Sequence, residues 1–556
     1  MWQKFVFVVA GYWLLERISR LFPACKLINQ EPGQSDSTNH PSPALSLFGG
    51  KLRHWVIIFL LGLGVAPAFT HLEQYPIFLD VQDAVGIDWL MRITRQNIPA
   101  AQDGATKVPQ FVWFDIDDKT HRHWGEPLFT PRNRVQRLID AAVKAEARLI
   151  IVDIDLSRPT PIEGLGEKCK DLKLHPYDEN IANYFAQYPT YCKTHPNCPP
   201  IILARTFLPS SSDSTKPRPP QQPRLAFSEL EQAVTNSDAY LQWATPLFQL
   251  SYDQVLRRRS NWQTTCTGEL PGIVASTGVT AAVLLDSETP KQAQDIINKA
   301  LTPLKPQDCA GGNVVHAQSN PPPKEIEIGP VELSTDPFSV RQRIVFNMPW
   351  LIKNPETRQL EPLKWLPDEV GFPIVTRLPA YHFAEARMPA AQLESLKNDY
   401  VKRGIVIIGG SHSEGRDYHQ TPLGLMPGAL VLINATHSLL QYKQLEPLSN
   451  WGKRLIIATL ISVMAVIFLR VSSFWLAQIL NLLIVVGMMF VSVILFRSSG
   501  VWLDFATPLI FVQLYQIAVF SIILILCLLL VVWGWIRQVF NWLYSLVSRF
   551  GRKRFK

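Results

Sequence analysis

The sequence predicts an α/β extracytoplasmic domain, a mainly parallel sheet of βαβ units with irregular inserts, joined to four transmembrane α-helices. Three observations predict it. Short runs (FVWFDI, LIIVDI, IILA, GIVII) are continuously apolar, as strands covered on both faces are, and all but IILA contain or meet acids or glycines at their ends. An amphipathic stretch separates the first two of these runs. Long apolar stretches with basic flanks cluster at both ends of the 556-residue chain, which has room for a membrane module plus one or two domains.

Residues 5–15, FVFVVAGYWLL, are apolar but short for a span, and no small-residue cleavage site follows. They read as an interfacial helix, with a membrane crossing as the alternative, inside a cytoplasmic N-terminal segment 1–50. The spans fall at 51–70, 453–470, 474–496 and 504–535, and 536–556 forms a basic cytoplasmic tail. Orientation follows from Lys and Arg. SRFGRKRFK carries five basic residues and no acid, and residues 1–54, ahead of the apolar run 55–69, have six basic residues against three acidic. Four spans put both termini on one side, so both are expected in the cytoplasm. Residues 71–452 then lie outside, at a bacterial plasma (inner) membrane.

Inside 71–452, Phe111–Ile116 reads as a strand. Thr130-Pro131 opens a helix with Val135, Leu138, Ile139 and Ala142 on one face. Leu149–Ile154 is the next strand, making a βαβ unit with parallel strands. Ile201–Ala204 and Gly404–Ile408 continue the series, and Ala429–Gln441 is helix-like. LPSSSDSTKPRPPQQP (Leu208–Pro223) and the Pro-rich Gln318–Lys324 are exposed loops, and 208–402 is expected to hold the irregular inserts. Phe111 and Trp113 belong to the core. Arg132, Arg134 and Arg137 form a solvated face, and His121, His123 and His419 lie on the surface or in loops.

Five of the seven cysteines (Cys169, Cys192, Cys198, Cys266, Cys309) fall in the exported segment, where an oxidising compartment permits disulfides. Cys192 and Cys198 are spaced to close a small loop. The odd number leaves at least one thiol free or paired between chains.

Ligands of open α/β sheets sit beyond the carboxyl ends of the strands. Three strand ends carry polar clusters: Asp115, Asp117 and Asp118; Asp153 and Asp155; Gly409-Gly410 followed by Ser411 and His412. If those strands are neighbours, Asp115, Asp117, Asp153, Asp155, Ser411, His412 and Asp417 are the candidate ligand-binding residues. Capping the next helix or turn is the competing role for each acid, and Asp417 has Arg416 or backbone amides as alternative partners.

Reactive readings fit less well. A nucleophile elbow needs a Gly where Ser413 stands and a helix directly after Ser411. No G-x-x-x-x-G-K-[ST] phosphate loop, no C-x-x-C and no matched His pair is present. No catalytic residue, metal or cofactor is therefore expected, and no basic-aromatic interleaving points to nucleic acid.

The stretch VWFDIDDKTHRHWGEPLFTPRNRVQRLIDAAVKAEARLIIVDIDLSRP resembles the start of the second class of CHASE domains (cyclases/histidine kinases associated sensory extracellular). The resemblance rests on Asp115 to Asp118, Gly125, the Thr130-Pro131-Arg132 turn, the helix, and Asp153. Gly409, Asp417, Thr421-Pro422, Pro427-Gly428 and Asn434 are similar to the family's later motif. One span before the domain and three after it also match. The resemblance implies a non-enzymatic sensory domain in which a ligand or partner shifts a two-state equilibrium that the spans carry inward. About 20 residues follow Trp535, too few for a folded kinase or cyclase. Output is therefore expected from a separate effector or complex subunit, with self-association a further option. The rival expectation is a non-catalytic membrane scaffold within a multiprotein complex.

Overall fold

The computed structural model describes residues 108–442 with short interruptions, the longest at 163–172, 209–219 and 310–322. It also describes parts of 80–93, the helix Phe474–Ser499 and a few isolated positions. The expected interfacial helix 5–15 and, apart from isolated positions, the expected spans 51–70, 453–470 and 504–535 lie outside the described residues. The chain forms two compact units, and residues 71–452 make up most of the larger one.

That unit is built on a seven-stranded sheet. Its strands are β1 (Phe111–Ile116), β2 (Leu149–Val152), β3 (Ile201–Ala204), β4 (Leu241–Ala244), β13 (Trp365–Pro367), β14 (Pro373–Pro379) and β15 (Ile405–Gly410). Their spatial order is β13-β14-β1-β15-β2-β3-β4. Every pairing is parallel except β13 with β14 at one edge. Small antiparallel hairpins decorate it: β5 (Phe248–Leu250) with β6 (Leu256–Arg259), β7 (Trp262–Thr267) with β8 (Leu270–Ala275), β9 (Glu325–Ile328) with β10 (Val331–Ser334), β11 (Leu351–Lys353) with β12 (Leu360–Pro362), and β16 (Tyr418–Thr421) with β17 (Gly424–Pro427).

Strand alternation sends residues to two cores. Phe111, Trp113, Leu149, Ile151, Ile405 and Ile407 meet helices α6 (Thr277–Asp286), α7 (Pro290–Leu301) and α9 (Gly428–Tyr442). Val112, Phe114, Ile150, Val152, Val406 and Ile408 meet α3 (Arg132–Lys144), α4 (Pro176–Thr194) and α5 (Ser228–Thr235). Helices on both faces explain why these strands read as unbroken apolar runs. Helix α1 (Ile87–Ile93) packs Ile87, Leu90 and Met91 into the first core.

Two expectations are corrected. Residues 208–402 are not simply inserts, because they supply β4, β13 and β14 to the sheet and α6 and α7 to its cover. Nor is the Arg132–Arg137 face solvated. Arg132 is buried and donates to the carbonyls of Asp155 and Arg158 at 2.8 and 2.9 Å, while Arg134 and Arg137 both donate to Ala384 O. These arginines satisfy loop carbonyls that would otherwise be orphaned.

Helix α10 (Phe474–Ser499) has 26 residues. Taken over described residues alone, no helix is long and apolar enough to cross a membrane.

Candidate functional site

β15 inserts between β1 and β2, so the three polar strand ends become neighbours at the point where strand order reverses. Asp115 pairs with Gly409 and Ile116 with Gly410. On the other side, the Asp153 N–H donates to Ile408 O at 2.8 Å. Asp115, Gly409 and Asp153 therefore share one face. A Cβ on Gly409 would stand 2.8 Å from the Ala429 Cβ and 3.4 Å from the Asp153 Cβ. The glycine lets α9 begin directly over the strand ends.

Asp115 is fully buried. Its Oδ2 accepts from Ser411 Oγ at 2.6 Å and from Arg377 Nε. Its Oδ1 has no hydrogen-bond partner among the described residues. Burial pushes this carboxyl up to about 6, against the opposing pull of Arg377 and the Ser411 hydroxyl. Arg377 stands opposite Trp113 in the β1–β14 register. Its guanidinium lies 5.2 Å from the Trp350 ring and 3.3 Å from an Asp117 oxygen.

Asp153 is half-buried. Burial, then the neighbouring Asp417 carboxylate, pushes it up to about 7, with His419 opposing. Asp417 lies against the start of α9, where a side chain at Gly428 would collide with its carboxylate. The His419 Nε2 is 2.9 Å from Asp417 Oδ1, and this bond raises the His419 pKa. Tyr418 closes the group by donating its hydroxyl to Ser411 O at 2.6 Å.

The remaining candidates have local roles. Asp117 caps α2 (Asp118–His123) by accepting from the Thr120 N–H at 2.8 Å. Asp118 accepts from the Ser413 N–H and hydroxyl, and these bonds hold its carboxyl below the usual range although burial opposes them. Asp155 does not join the crevice. It accepts from the Ser157 N–H at 2.9 Å and the Thr206 hydroxyl at 3.1 Å, fastening a turn on the β3 side. The His412 ring stacks on His121 with centroids 4.6 Å apart, and its Nδ1 lies 3.1 Å from Ile116 O. Burial, then His121, lowers its pKa. His121 is itself buried, which corrects its expected surface position. The imidazole stack fills the space under the loop.

The strand ends thus gather two carboxyls that burial pushes up, one guanidinium, a serine hydroxyl and aromatic faces. Such a set can accept hydrogen bonds from a ligand and respond to charge. Ser411 donates to a carboxylate rather than to an imidazole. Among the described residues no group of three or more His, Cys, Asp or Glu is placed to hold a metal ion. Arg377, Trp350, Tyr418 and His419 were not picked out as site residues by the sequence. A signal existed for Arg377, because Ile374-Val375-Thr376 is a β-branched run of the kind strands favour.

Comparison with known proteins adds one family. No curated protein and no solved structure matches the chain. The CHASE2 domain family matches residues 56–469, most of the sequence. The expected strand–helix–strand opening and the glycine-ended later strand both stand in that interval at the crevice. The chain belongs to the CHASE2 family of sensory extracellular domains.

Proposed function

We propose that this chain is a membrane-anchored sensory protein whose domain 71–452 lies outside the cytoplasm. It binds a ligand or partner at the crevice formed by the ends of β1, β15 and β2. The resulting shift passes inward to a separate effector or complex subunit acting in trans. The observation that carries this reading is the meeting of Asp115 and Asp153 on either side of Gly409 at the switch point of the sheet, where open α/β folds hold ligands. Anchoring is supported by α10, where Leu476, Ile479, Leu482, Leu483, Val486 and Phe490 are all exposed. These six share one face of the 26-residue helix, and an exposed apolar stripe of that extent suits lipid or a partner helix better than water. Disulfides Cys192–Cys198 and Cys266–Cys309 suit an oxidising compartment.

The test is a thermal-shift screen of small polar ligands on the full-length protein in phospholipid nanodiscs, paired with crosslinking and mass spectrometry in native membranes. Receptor function predicts a saturable shift that Asp115→Asn and Asp153→Asn remove, together with recovery of a kinase, cyclase or other effector. No shift with any ligand, and recovery of structural membrane proteins alone, would replace the receptor with a scaffold.

A further inference from the structure

The loop that follows β15 meets α2 at two neighbouring points. Asp118 accepts from the N–H and the hydroxyl of Ser413 at 2.8 and 2.7 Å. Three residues further along the helix, and so on the same face, the His121 Nδ1 lies 3.7 Å from a Glu414 carboxylate oxygen. Ser413 and Glu414 belong to one short turn, Ser413–Gly415. The two contacts differ in kind. The Ser413 donors hold the Asp118 carboxyl below its ordinary range although burial opposes them, so that tie stands wherever histidines titrate. The His121 contact needs a proton to become a bond.

Backbone carbonyls fix where that proton goes. His121 Nε2 lies 3.2 Å from Pro127 O, and His412 Nδ1 lies 3.1 Å from Ile116 O. A carbonyl oxygen only accepts, so in the neutral rings these are the nitrogens that carry hydrogen. His121 Nδ1 is then a bare acceptor facing another acceptor, the Glu414 carboxylate. A proton taken from solvent onto Nδ1 makes this an N–H···O bond between opposite charges and keeps the bond to Pro127. His412 is the poorer acceptor of the two. Its ring stacks on His121 with centroids 4.6 Å apart, and burial, then His121, lowers its pKa. Gly415 packs against it, where a Cβ would stand 3.1 Å from Nε2. Two stacked imidazolium rings would repel each other at this range, so the stack takes one proton, on the ring that has a counter-ion.

We propose that His121, His412 and Glu414 form a proton-operated latch on the loop 411–417, which makes the proton itself a ligand of this domain. With both rings neutral, Asp118 ties the Ser413–Gly415 turn to α2. Protonation adds Glu414 and fastens the turn at a second point, so the latch is closed in acid and opens as pH rises through the histidine range. The fastened loop carries Ser411, bound to Asp115, and Asp417, the neighbour of Asp153. An effect on ligand capture rests on the strand ends being the receiving site; the latch does not. The charged and titratable groups around the stack are Glu414 on the turn, Asp118 with Arg122 beside it on α2, and Tyr418 of β16 near Asp118. Asp115 and Asp153, pushed up to about 6 and about 7, change charge over the same range, and the test separates them from the latch.

Hydrogen–deuterium exchange on the full-length protein in phospholipid nanodiscs, with no ligand added, is compared at about pH 5.5 and pH 8, on either side of the histidine range. Rates are corrected for the intrinsic pH dependence of amide exchange. Amides of 412–417 are expected to exchange about threefold more slowly at the lower pH, the size that one exposed ion pair allows. Glu414→Gln, a change on an exposed side chain, should remove this difference. His121→Gln, which keeps a donor for Pro127 O, should do the same. Asp118→Asn should speed exchange at both pH values and leave the difference in place. The latch is overturned if the wild type shows no protection in acid. It is equally overturned if Glu414→Gln retains the protection, which would assign it to Asp115 and Asp153. Because no ligand enters the measurement, an empty ligand screen leaves the latch standing, and a loop indifferent to pH leaves the receptor standing.

Discussion

Asp115, fully buried, and Asp153, half-buried beside Asp417, sit where a sheet end meets a helix start, and their chemistry follows from that. Both are pushed up, to about 6 and about 7, first by burial. The unfolded carboxyl titrates near its ordinary value of about 4. Between about pH 4 and pH 7 the folded state therefore holds protons that the unfolded state has released, so these groups lower stability as pH rises through that window. Asp153→Asn fixes the neutral form. The variant should melt above the wild type at pH 8 and together with it at pH 4.5, and equal melting temperatures at both values would remove the desolvation account. A second residue-scale prediction concerns Gly409. Adding a methyl there meets Ala429 at 2.8 Å, so Gly409→Ala should cost about 1 to 3 kcal/mol in denaturant unfolding. The acids and the glycine were legible as strand-end residues. Which of them cap and which meet at the strand ends was not, because Asp117, Asp118 and Asp155 differ from Asp115 in burial and in the donors that folding brings to them.

At the scale of elements, α9 shows how a polar residue can be core. Asn434 is fully buried. Its Oδ1 accepts from the N–H groups of Asn347 and Met348 at 3.2 and 3.0 Å, and its Nδ2 donates to Met348 O at 3.0 Å. It replaces a missing sheet neighbour for that extended segment, so its place in the family motif has a structural reason. Asn434→Leu keeps the volume but orphans three backbone groups, and should cost about 2 to 4 kcal/mol, read as a shift of the urea midpoint with an unchanged slope. Arg343→Met leaves the buried Asp83 and Asp88 with one arginine each, Arg258 and Arg257, and should cost about 3 kcal/mol. Periodicity found β1, α3, β2 and β3 nearly to the residue. It missed β14, whose short run is bounded by prolines, and β4, whose LQWA mixes polar and apolar residues.

For the whole molecule, the proposed topology makes a direct prediction. Leu128 is almost fully exposed. A Leu128→Cys variant should react with a membrane-impermeant maleimide in intact spheroplasts, whereas a cysteine placed in 549–556 should react only after lysis. The reverse pattern would invert the orientation. Redox chemistry gives a second check on compartment. The Cys266–Cys309 bridge closes a far longer loop than Cys192–Cys198, with separations of 43 and 6 residues. Cys309→Ser should therefore destabilise more than Cys198→Ser, by roughly 1 to 2 kcal/mol on the loop-entropy scale.

The sequence by itself determined the class of fold, the parallel strands with polar ends and the family resemblance, because hydrophobic period and strand-end chemistry are local properties that survive without coordinates. Tertiary structure alone decided the strand order, and with it the fate of every candidate residue. Placing β15, from late in the chain, between β1 and β2 joins Asp115, Ser411 and Asp153 into one cluster at the strand ends. The same folding brings Arg377 across from β14 and closes the Asp80–Asp88 segment onto Arg257, Arg258 and Arg343. These partners lie far apart in the chain. No local pattern records which distant guanidinium will neutralise which buried carboxylate, since that choice is made by burial and close packing once the sheet has formed.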